Sequence, residues 1–174
     1  RNYLAMGSGF YEAPTVPGTS PEVPVAIIDS LRKGRLLTTR ADVDLYVNPM
    51  ACQAIATAVQ PLQARGVTIR PATVPQTVFG ENVQRNLHAK FLFSANHRGS
   101  SNNCASAWVY LGSGNLTHPG FFHRMRANTG NLEAGVVFFP NALCWQKNGT
   151  TQDDRVVTNL LPIQWDEVVA DPTS

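Results

Sequence analysis

A histidine, a lysine, a serine and an asparagine interrupt two apolar runs in the stretch "NLHAKFLFSANHRGSSNNCASAWVYLGSGNLTHPGF", residues 86–121. Side chains two apart on a strand point the same way. His88 and Lys90 therefore share a face, with Leu87, Ala89, Phe91 and Phe93 on the opposite, core-facing one. The same rule sets Ser113 beside Asn115, with Gly112 and Gly114 small enough to let a ligand approach the backbone. If the two strands pair, an imidazole, an ammonium, a hydroxyl and an amide converge. That set suits a phosphoryl group. Lys90 neutralises a nonbridging oxygen, Ser113 and Asn115 donate hydrogen bonds, and His88 attacks phosphorus. No carboxylate cluster of the kind that holds a metal accompanies it, so the implied chemistry is metal-free and needs no cofactor. A lone H-x-K pair more often marks a strand end facing solvent; the G-S-G-N-L-T turn after it makes the set specific.

These residues need a frame. The chain has 174 residues, 43% of them hydrophobic, enough for one well-buried domain. Only 15% are charged and the net charge is +2, which permits a phosphate-bearing partner without demanding one. Residues 1–24 read as a linker or N-terminal loop segment, four prolines falling within "YEAPTVPGTSPEVP", and residues 25–174 as the domain. "PVAIIDSLRKG" predicts a short helix ended by Gly34, and "ADVDLYVN" a strand with Val43, Leu45 and Val47 on one side. Asn48 and Pro49 predict an N-cap and first turn, opening a helix with an apolar stripe from Met50 to Leu62, stopped at Gly66, that Pro61 should kink or end early. "GVTIRPATV" follows as a strand, and the strand–helix–strand order suggests a parallel crossover. "NLHAKFLFSA", "SAWVYLGSG" and "LEAGVVFFP" are three further strands, close enough in sequence to be neighbours, with a long loop from Asn96 to Ser106. The tail "DDRVVTNLLPIQWDEVV" predicts helix on either side of Pro162. The expected fold class is α/β, a layered α/β/α sandwich with a mixed central sheet.

H-x-K followed by G-S-x-N resembles the signature of the phospholipase D superfamily. The wording "LHAKFLF", "YLGSGNLTHPGF" and "NLEAGVVF" is most similar to its nuclease-type and helicase-associated members, over roughly residues 40–140. In that family the motif histidine forms a phosphohistidine intermediate, a role that falls on His88. Lys90 and Asn115 would bind phosphate oxygens, with Ser113 supporting and Gly112, Gly114 and His118 near the substrate. The downstream N-x-E is matched by Asn131, Leu132 and Glu133, and the resemblance sets Glu133 behind His88 to fix its tautomer. Ala95 stands where the commonest form of the motif has aspartate. The tyrosyl-DNA phosphodiesterase branch also lacks that residue, which favours nucleic-acid phosphodiester chemistry, DNA above all, over phospholipid hydrolysis or phosphatidyl transfer. A phosphate- or nucleic-acid-binding module without turnover is the third reading.

The resemblance implies one half of a phospholipase D-type catalytic unit. Two-step transfer needs a general acid to protonate the leaving oxygen; in that family a second H-x-K unit supplies it, and His97, His118 and His123 lack the H-x-K context. "MGSGF" echoes the G-S-x turn but has Phe10 where the asparagine belongs. The second motif is expected from a homodimer or from a longer parent chain, the first residue being Arg1. Cys52, Cys104 and Cys144 have no metal-ligand spacing and read as reduced, mostly buried thiols. A disulfide between two of them is the alternative, which leaves the compartment open, with a cytoplasmic one favoured. No apolar run is long enough to span a membrane and no signal-peptide pattern is present.

Overall fold

The computed structural model describes residues 1–48, 52–74, 79, 85–146, 155–165 and 168–169. Six strands form one mixed sheet in the order β3-β2-β1-β4-β5-β6. They are β1 Tyr3–Gly7, β2 Asp42–Val47, β3 Val67–Pro71, β4 Lys90–Arg98, β5 Ser101–Gly112 and β6 Gly135–Phe138. β1, β2 and β3 run parallel, and β4, β5 and β6 add antiparallel to their neighbours. The fold is α/β, as the alternating strand and helix patterns predict.

β1 is a difference from the sequence reading. Residues 3–7 lie in the expected N-terminal segment, yet they pair with β2 on one side and β4 on the other. All five are buried. A central strand covered on both faces is apolar throughout, so the alternation that marks a half-exposed strand is missing. Residues 8–21 then form the loop that leads into α1, Glu22–Lys33.

α1 follows its pattern. Val23, Ile27 and Ile28 are buried along one face, and Pro24 stands in the first turn, where no backbone N–H is needed. Gly34 N–H closes the last turn onto the Ser30 carbonyl at 2.9 Å. The helix expected from Met50 to a stop at Gly66 is instead two short ones in its described part, α2 Gln53–Ala56 and α3 Val59–Ala64. The break at Thr57 and Ala58 places Pro61 third in α3, again where its missing N–H is harmless. Pro49 and Met50 lie outside the described residues. Helices α1 to α3 pack on Leu4, Met6, Val43, Leu45 and Ile69 of the sheet. The opposite face, with Tyr3, Tyr46, Phe91 and Phe93, is covered by Leu143, Trp145, Val157 and Ile163 from the tail. Of the tail helix expected around Pro162, the described part is one turn, α5 Val157–Leu160, which follows the one-turn α4, His118–Phe121.

The long loop expected between Asn96 and Ser106 is a second difference. β4 runs to Arg98 and β5 starts at Ser101, so only Gly99 and Ser100 turn the hairpin. Its outer end reaches past the core, and register shifts between Ser94 and Arg98 disturb the pleat. The polar composition therefore reflects partial exposure of this end, with Asn102 bonded to the Gln146 backbone, rather than loop. Ala95, at the position of the absent aspartate, is fully buried opposite Tyr3 among aromatic side chains. A carboxylate there would be stripped of water.

Candidate functional site

The motif residues gather at one end of the sheet. The parallel strands β1 and β2 finish there, as does β5, while β4 and β6 begin there. Crevices at the carboxyl ends of parallel strands are the usual ligand sites of such sheets. Lys90 opens β4 and lies in register with Gly112, which in turn faces Gly135 of β6. Lys90 is half-buried, and none of the described carboxylates pairs with it. A cation left without a counter-ion at a strand end is suited to an incoming anion.

His88 stands two residues ahead of β4 and is exposed. Two contacts fix the backbone that carries it. The buried Asn48 amide accepts from Leu87 N–H at 2.6 Å and donates to the Leu87 carbonyl at 3.2 Å. Asn48 thus reads both polar groups of the residue before His88, whereas the sequence pattern made it a helix cap. Gly9 presses on the same residue from the other side. A Cβ there would meet the Leu87 carbonyl oxygen at 2.3 Å and lie 3.4 Å from His88 Cα. No side chain fits.

Asn115 is held through the same N-terminal turn. Ser8, 1% exposed, places its Oγ 3.3 Å from Asn115 Oδ1 and 2.7 Å from the Phe10 carbonyl, and accepts from Leu116 N–H at 3.2 Å. The single Ser8 hydroxyl hydrogen is shared between the Phe10 carbonyl and Asn115 Oδ1, which ties Asn115 to the N-terminal turn. The G-S-G turn of residues 7–9 therefore touches both His88 and Asn115. It is the missed part of the site, and "MGSGF" was its only signal.

Other expectations are adjusted. Glu133 makes no hydrogen bond to His88; its carboxylate accepts from Ser113 Oγ at 2.5 Å, and that Oγ accepts from Ala134 N–H at 3.0 Å. The pair closes β5 onto the start of β6 because both side chains leave paired strand ends. Gly112 and Gly114 make room for the protein rather than a ligand. Their Cβ positions would meet Tyr110 Oη at 2.1 Å and the Gly120 carbonyl oxygen at 2.4 Å. His118 is likewise engaged by the chain: Nδ1 bonds Glu12, Nε2 lies 3.2 Å from Glu22, and its N–H donates to Glu12 at 2.9 Å. Among the described residues no group of three or more His, Cys, Asp and Glu is placed to hold a metal. Cys52, Cys104 and Cys144 are free thiols, and burial pushes Cys104 up to about 12.

The Glu12 hydrogen bond raises the His118 pKa; desolvation opposes it, and the charges of Glu12 and then Glu22 add to the rise. A raised folded value means the contact stabilises fully below the unfolded histidine value of about 6.5 and is lost as pH rises through the folded one. Glu12→Gln should therefore lower Tm more at pH 6 than at pH 9, measured by thermal melts across that window.

Comparison with protein-family models found none that matches, and comparison with curated proteins found no match.

Proposed function

We propose that the chain is a metal-independent phosphodiesterase of the phospholipase D type, acting on nucleic acid through a phosphohistidine at His88. One observation carries this reading: His88, Lys90, Ser113 and Asn115 come from separate segments to one sheet end, with Lys90 free of carboxylates and His88 open to solvent. The imidazole attacks phosphorus, a P–N bond forms, and the bond to the leaving oxygen breaks as that oxygen takes a proton. Water then attacks phosphorus and restores the imidazole, leaving a phosphomonoester and an alcohol. Lys90 and the Asn115 amide stabilise charge on the nonbridging oxygens.

The proton donor is a second imidazole, supplied by another H-x-K unit on a twin chain or a parent chain. One ring must be neutral while the other is charged, so activity follows a bell-shaped pH profile. The test is turnover of bis(p-nitrophenyl) phosphate in EDTA by wild-type chain alone and mixed with His88→Ala chain. Chelator-resistant activity that falls faster than the wild-type fraction is expected of a shared site. Activity that disappears in EDTA and returns with a divalent ion would overturn the reading, and absence of turnover by the dimer would leave a binding module.

A further inference from the structure

We propose that the groove beside His88 seats an unpaired nucleobase of a single-stranded nucleic acid, stacked on Phe79 and the Arg85 guanidinium. The inference rests on the phosphodiesterase reading and narrows its substrate to strands with an accessible base. The groove measures about 630 Å³, inside the range of roughly 300–1,000 Å³ usual for sites that enclose a small molecule. His88 is one of its walls, so a ligand seated there lies in the same groove as His88.

Its lining has two characters. Ala72, Val74, Leu160 and Pro162 make an apolar trough, and none of the described lining residues is acidic. Phe79 is 42% exposed at this groove, and the Arg85 guanidinium carbon sits 5.1 Å from its ring centroid. Both groups are planar, and bases stack on aromatic rings and on guanidinium planes alike. Arg85, with Lys90 five residues on, supplies positive charge along the path the flanking phosphates would take. A base in a duplex has both faces covered by its neighbours and reaches such a groove only after leaving the stack. An acyl chain would fill the trough but would leave the cation over the ring without a role.

The test is a binding cycle that needs no turnover. Fluorescence anisotropy compares a short single-stranded oligodeoxynucleotide with an abasic strand of equal length. The proteins are His88→Ala, which spares the strand, and the same chain carrying Phe79→Ala, Phe79→Leu or Arg85→Lys. Both Phe79 changes should weaken binding of the base-bearing strand by roughly tenfold and leave the abasic strand unchanged. Arg85→Lys should show a smaller loss confined to the same strand. Equal binding of the two strands, or full binding by Phe79→Leu, would overturn the proposal. Phe79-dependent binding to phosphatidylglycerol vesicles would reassign the groove to lipid. If instead the cycle holds while His88→Ala leaves diester turnover intact, the phosphodiesterase reading fails and the base site stands.

Discussion

Replacing His88 by alanine is expected to reduce phosphodiester turnover on the order of a thousandfold or more while leaving the melting temperature nearly unchanged. The size follows from the role. A covalent nucleophile splits one difficult displacement into two easier ones, and its loss removes several kcal/mol of transition-state stabilisation. The small effect on folding follows from position: His88 is exposed, lies outside β4 and makes no hydrogen bond with Lys90, Asn115 or Glu133. Kinetics with bis(p-nitrophenyl) phosphate and a thermal melt on the same sample check both halves. A variant keeping more than about a tenth of the rate, one factor of ten being about 1.4 kcal/mol, would remove His88 from the mechanism.

The second large effect belongs to a residue without chemistry of its own. Asn48→Ala should lower stability by about 2–6 kcal/mol, since it strips partners from two polar groups of buried Leu87 at about 1–3 kcal/mol each. The same change releases the backbone that carries His88, so kcat should fall even where the chain remains folded. Asn48→Asp separates the two possibilities. Ionised, it sets a buried carboxylate against the Leu87 and Gly9 carbonyl oxygens, so it should recover stability only at low pH, where the protonated acid offers both an acceptor and a donor. Denaturant melts alongside kcat measured well below the melting temperature are the check. Unchanged kcat in folded Asn48→Ala would confine Asn48 to stability.

Much of this architecture was legible because its signals are local. Val43, Leu45 and Val47 alternate, so β2 announces itself, and the apolar face of α1 recurs at helical spacing. The H-x-K and G-S-x-N segments likewise carry their spacing with them, and the β4–β5 register does bring Lys90 opposite Gly112. What escaped depends on partners distant in sequence. β1 is uniformly apolar because neighbours cover both faces, and only β2 and β4 identify it as a strand. Asn48 looks like a helix cap until Leu87, 39 residues away, arrives to take its amide. Ser8 sits 107 residues from Asn115, a contact that no periodicity announces. Asp44, on the same strand, is buried, hydrogen-bonded to Tyr3 at 2.9 Å and paired with Arg70 at 3.0 Å, again by partners distant in sequence. Burial raises its pKa against the opposing pull of Tyr3 and Arg70.

The stereochemical course at phosphorus tests the central claim, two-step transfer through His88, most directly. Each in-line displacement inverts phosphorus, so attack by the imidazole followed by attack by water restores the starting configuration. A dinucleoside phosphorothioate of single configuration, hydrolysed in ¹⁸O-labelled water with EDTA present, should give product with net retention. Net inversion would mean that water attacks directly and that His88 never bonds to phosphorus.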